Sequence, residues 1–212
     1  MKGKELIIEL AKLFDSDWTP CNQGNSSIWL EKKLDDKILS INFTTTRTYE
    51  GFKFVGVMSG SVRFLEVEDI LSDLYKQHDL GYELKTIHTS SKRQDYISDY
   101  EIVNVSDLDK IKDWITESYT NDIVSFFDSY NTLKKVNEQI DSLKKEDLSS
   151  FVFAPPVINI FTIKGLLRTK DFGTYSSWAL DVYEQMSVGK EDKFEGKSLR
   201  VLKELKKLLT EE

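Results

Sequence analysis

The chain has 212 residues, of which 40% are hydrophobic and 31% charged, so it is long enough to bury a core without metal or disulfide staples and reads as neither disordered nor fibrous. Its net charge of −7 is spread evenly, with 13 basic against 17 acidic side chains over residues 1–105 and 16 against 19 over residues 106–212, which leaves no basic arm to neutralise phosphates. Cys21 has no second cysteine to pair with, Glu5 and Glu9 interrupt the opening apolar run, and no window approaches the ~18 apolar residues of a membrane span, so the expectation is a cytoplasmic protein with no membrane segment.

Leu6, Ile7, Leu10, Ala11, Leu13 and Phe14 recur at helical steps opposite Glu5, Glu9 and Lys12, which predicts an amphipathic first helix. Residues 15–25 collect Pro, Gly, Asn, Ser and Asp and predict a loop. Ile28 and Leu30 flank Trp29, residues 33–36 make a polar turn, and Leu39, Ile41 and Phe43 share one face, the pattern of a β-hairpin. Phe52, Phe54, Val55 and Val57 repeat the alternation. Ser59-Gly60 predicts a turn before Val62 and Phe64, so that four successive strands imply an antiparallel meander.

The period then changes. Val67, Ile70, Leu71, Leu74 and Tyr75 lie on one helical face, with Gly81 the expected left-handed cap. Tyr82, Leu84 and Ile87 predict a strand, and Tyr100, Ile102 and Val103 another. Ser106 with Asp109 signals an N-cap ahead of Leu108, Ile111, Trp114 and Ile115, and from there the chain is helical. A helix from about residue 121 extends towards Ile140, and residues 134–147 form a mixed-charge, solvated face. Pro155-Pro156 opens a helix through Ile158, Phe161 and Ile163. Two more run through Tyr175, Trp178 and Ala179, and through Val201, Leu202 and Leu205. The fold class expected is α+β, an antiparallel sheet over 1–105 and a helical region over 106–212, packed together as one unit.

Among candidates for chemistry, His88 with Asp95, Asp99 and Glu101 offers ligands to a divalent cation and defines a metal-dependent hydrolase reading. Asp99 and Glu101, two residues apart, suit a charged edge strand equally well. His78 near a helix end fits the dipole, and Cys21 fits an inert thiol. Lys85, Lys92 and Arg93 with Tyr96, together with Lys197, Arg200, Lys203, Lys206 and Lys207 on the closing helix, define a nucleic-acid alternative that the acidic balance disfavours. No nucleotide loop, nucleophile elbow or dinucleotide fingerprint occurs, and no cofactor is expected. Trp18, beside the Thr19-Pro20 turn, and Trp29, in the hairpin, stand outside the core stripes and are the expected anchors of an interaction surface.

Leu39-Ser40-Ile41-Asn42-Phe43, and Phe126-Phe127-Asp128-Ser129-Tyr130 followed by Leu133, taken in this element order, resemble uncharacterised bacterial proteins built on a domain of unknown function. These have a leading helix, an antiparallel sheet and a helical tail, and some occur in toxin-immunity neighbourhoods. The resemblance spans residues 1–140, the helices after Leu148 depart from it, and it implies no catalytic residues. The acidic charge, the missing catalytic signatures and a sheet flanked by exposed aromatics lead to the expectation of a non-enzymatic interaction protein, in its narrower form an immunity-type inhibitor, acting on a basic protein partner. Nothing in the sequence sets an oligomeric state.

Overall fold

The computed structural model describes residues 3–22, 27–54, 58–81, 85–90 and 100–210. The chain is α+β, with antiparallel strands in its N-terminal half and helices through its C-terminal half. Its contacts gather it into two compact units, each built from two stretches: Met1–Val62 with His88–Ser129, and Arg63–Ile87 with Tyr130–Glu212.

In the first unit, α1 (Gly3–Ala11) buries Leu6 and Leu10 completely. β1 (Thr19–Asn22) follows where composition predicts a loop. It holds Pro20, which has no N–H, and it lies at the edge of the sheet, where that donor is not needed. β2 (Ser27–Lys33) and β3 (Lys37–Arg47) form the expected hairpin, closed by Leu34 N donating to Lys37 O at 2.9 Å. Ile28 faces Phe43 and Leu30 faces Ile41 on the buried side, and the same register sets Trp29 between Cys21 and Asn42 on the other.

The meander does not continue. β4 (Phe52–Phe54) pairs Thr45–Arg47 of β3 and then β7 (Glu101–Ile102), whereas β5 (Ser59–Phe64) skips β4 to pair β3 and β6 (Ile87–Ser90). β3 is 11 residues long and β4 engages only its end, so length remains for a third partner. Ser59-Gly60 is therefore strand and not turn, and a Cβ on the buried Gly60 would come 2.9 Å from the side chain of Ile123. The helix cap also moves. Asn104 and Asp107 form the capping box of a 3-10 turn (Val105–Lys110), two residues ahead of Ser106, with Asp107 Oδ2 accepting from the backbone of Val103 and Asn104 at 3.0 Å. α3 (Lys112–Ser118) runs through a π-helical segment (Tyr119–Val124) into α4 (Ser125–Ser129).

In the second unit, α2 (Leu65–Gln77) buries Val67, Leu71, Leu74 and Tyr75 as its period predicts. Its end is made differently. Asp79, not Gly81, takes the left-handed conformation (φ 50), Leu80 N donates to Tyr75 O at 2.8 Å, and Lys197 Nζ holds the Asp79 carbonyl at 2.8 Å and its carboxylate at 2.5 Å. α5 (Leu133–Ser142) opens on Thr132, whose hydroxyl accepts from Lys135 N at 3.3 Å, so the long helix expected from residue 121 towards Ile140 is broken. α6 (Pro156–Leu166) starts on Pro156 and is buried on every side from Ile158 to Gly165, the mark of a central helix. α7 (Phe172–Ser187) and α8 (Phe194–Thr210) pack on it and on each other, α8 through Val201, Leu202 and Leu205.

Candidate functional site

Trp18 is not an exposed anchor. It is 5% exposed, with its ring 6.3 Å from that of Phe14, 6.2 Å from Tyr119 and 6.2 Å from Phe127. Burying so large an apolar ring is worth more to the fold than presenting it, and three aromatic neighbours complete its enclosure. The same packing desolvates Tyr119 and raises its phenol above the ordinary value. Trp29 is half-buried on β2.

His88 lies on β6, which reaches β3 through β5, and Glu101 lies on β7, which reaches β3 through β4, so the two stand on separate branches of the sheet. The Glu101 carboxylate accepts a hydrogen bond from the Thr48 hydroxyl. Asp95 and Asp99 lie outside the described residues, as do Lys92, Arg93 and Tyr96. Among the described residues no three His, Cys, Asp or Glu side chains are grouped to hold a metal ion, and no helix is long and apolar enough to cross a membrane. His78 Nε2 sits 2.9 Å from Glu204 Oε1, which joins the end of α2 to α8.

The turn between α7 and α8 has a different character. Val188 is 80% exposed, Met186 45% and Phe194 44%. Large apolar side chains are solvated here on a backbone that is held in several places. Lys190 N donates to Ser187 O at 2.8 Å, Gly189 takes φ 69, and Arg200 Nη1 donates to Glu191 O at 2.8 Å. Lys190 Nζ lies 3.0 Å from Glu195 Oε1, a hydrogen bond that lowers the Glu195 carboxyl below its usual value. The start of α8 approaches so closely that a Cβ on Gly196 would meet Glu191 O at 2.4 Å. Glu191 and Asp192 are exposed on this turn, and among the described residues neither carboxylate has a partner. The one local signal was Met186-Ser187-Val188-Gly189, apolar residues in a stretch that must turn.

Sequence reasoning also missed Lys164, a lone charge within the apolar run Ile158–Leu167, whose side chain is 3% exposed and bonds Asp141 and Asp171. Asp141 belongs to the stretch read as a solvated face. No protein-family model, curated protein or solved structure matches this chain.

Proposed function

We propose that the protein is a non-enzymatic interaction module that docks a basic partner protein through the α7–α8 turn. The observation that carries this reading is Val188, 80% exposed between Met186 and Phe194 on a turn already braced by Lys190, Glu195 and Arg200. A large apolar side chain moved from water into a partner's pocket gains roughly 1.5–3 kcal/mol, and a turn fixed beforehand loses little conformational entropy on docking. Glu191 and Asp192 outnumber Lys193 at the rim and favour a positively charged surface, in keeping with the net charge of −7. Inhibition of an immunity type is the narrower form of the same reading, in which the docked partner loses its activity.

The test is capture of partners from lysate of the source cells by the wild type, by a Val188→Asp, Phe194→Ser double variant and by Trp29→Ala. The captured protein is then identified and its affinity measured across a salt series. A stoichiometric basic partner that the double variant loses, with its melting temperature unchanged and binding weakened by salt, is expected. Undiminished capture by the double variant, or loss through Trp29→Ala alone, would move the interface to the sheet. A divalent metal retained by the purified protein and lost on His88→Ala would instead favour the hydrolase built on His88, Asp95, Asp99 and Glu101.

A further inference from the structure

We infer that the face of α7 that runs into the α7–α8 turn is self-complementary, and that a second copy of this chain docks on it antiparallel. The whole surface belongs to the second unit. Trp178, Val182 and Met186 follow one another at four-residue steps along α7, so they form a stripe about 12 Å long, with Tyr175 on the same side of the helix. Trp178 is 37% exposed, Met186 45% and Val188, just past the helix, 80%, while Tyr175 and Val182 are half-buried.

The two ends of the stripe differ, and each complements the other. At the N-terminal end the Trp178 ring lies 5.3 Å from that of Tyr175, and Lys145 Nζ stands 5.2 Å from the Trp178 centroid, which makes an aromatic shelf with a cation at its rim. At the C-terminal end Met186 and Val188 stand exposed, followed on the turn by the exposed Glu191 and Asp192.

A two-fold axis through Val182 sets that residue on its own copy and brings Trp178 to Met186 of the second copy, a pairing of thioether sulfur with an aromatic ring. The same operation carries Val188 towards Tyr175 and Lys145 towards the acidic turn, and every contact is made twice. A basic partner of another sequence would meet Lys145 as a like charge along this stripe, whereas a second copy meets it with Glu191 and Asp192. The patch is small beside that of a permanent dimer, so the association is weak and reversible. Because the second copy covers Val188, dimerisation masks the docking turn; that masking, unlike the dimer itself, rests on the docking reading.

Sedimentation equilibrium of the full chain from about 1 to 200 µM tests this, and a doubling of mass with Kd of about 10–100 µM is expected. Met186→Asp should weaken the dimer about tenfold or more. Lys145→Glu should weaken it, as should Glu191→Lys with Asp192→Lys, and all three changes in one chain should restore it, which a merely structural role would not do. Melting curves report that these variants, all at exposed positions, keep the fold. A monomer at every concentration, a dimer indifferent to Met186→Asp, or charge reversals that add instead of cancelling would each overturn the assignment. Capture from lysate is read separately. A monomeric chain that still captures a basic partner through Val188 overturns the dimer alone, and a dimer that captures none upholds the dimer and ends the docking reading.

Discussion

The ammonium of Lys164 donates a 2.7 Å hydrogen bond to Asp171 Oδ2 at the threshold of α7, from a side chain only 3% exposed. Asp141 of α5 takes a second bond at 2.7 Å, so one buried cation ties α5, α6 and α7 together. Burial alone pulls the Lys164 ammonium down, but its two hydrogen bonds and the carboxylate charges outweigh that and raise it above its usual value. The same hydrogen bond holds Asp171 below the ordinary carboxylate range.

Removing one of these carboxylates leaves the other in place. Asp141→Asn or Asp171→Asn should therefore cost about 1 kcal/mol each, the modest value expected for groups half in water. The double variant strands the ammonium and should cost about 3 kcal/mol or more, beyond the sum of the singles. A double-mutant cycle by urea unfolding measures the excess. Strict additivity would mean that water already solvates the charge.

Stability should form a plateau with two falling limbs. Asp79, Asp171 and Glu195 are depressed in the folded state, chiefly by hydrogen bonds from Lys197, Lys164 and Lys190 respectively. Asp107 is held down to about 2 by the backbone N–H of Asn104, then by Lys110 and the backbone of Val103. Their contribution is present above about pH 4 and is lost as pH falls through the folded values. Lys164, being raised, contributes below about pH 10.4 and stops doing so as pH rises past its folded value. Urea midpoints across pH check both limbs, and Asp107→Asn should flatten the most acidic part. A midpoint that rises on acidification would contradict the signs.

Two glycines should respond oppositely to alanine. At Gly51 a Cβ would lie 2.0 Å from Ile102 O, a backbone atom of β7, so Gly51→Ala must open the β4–β7 edge and should cost about 1–3 kcal/mol. At Gly81 no atom of the described residues lies within 4 Å of an added Cβ, and Asp79 already makes the turn, so Gly81→Ala should be neutral or slightly stabilising. Thermal melts separate the two, and a large loss at Gly81 would show that the cap had been misplaced.

Trp18→Ala should behave as a core truncation and cost about 3–5 kcal/mol, because the ring is enclosed by Phe14, Tyr119 and Phe127. Trp29→Ala, at a half-buried position, should cost less. Denaturant titration decides between them. Equal and small effects would return Trp18 to the surface.

Much of the fold was legible because it is local. The three- and four-residue steps in α2, α6, α7 and α8 and the two-residue alternation of β2 and β3 are properties of neighbouring residues, and the structure forms all six elements, although Trp178 of the α7 stripe stands exposed and α6 is buried all round. Signals that depend on a distant partner were misread. Pro20 reads as a loop residue until an edge strand makes its missing N–H harmless, and Ser59-Gly60 reads as a turn until β5 pairs β3.

The candidate sites were less legible for the same reason. Trp18 looked free because two of its enclosing rings, Tyr119 and Phe127, come from far along the chain, and Lys164 meets Asp141 only after folding. The sequence by itself determined the α+β class, the principal helices, the β2–β3 hairpin and the even acidic charge, since each follows from composition or short-range period. Only the tertiary structure decided the strand order, the use of Asp79 as a cap and the burial of Lys164. Each of these rests on an energy between residues that the sequence holds apart, such as the bond of Lys197 to Asp79 across 118 positions, and a short-range pattern carries no record of such a partner.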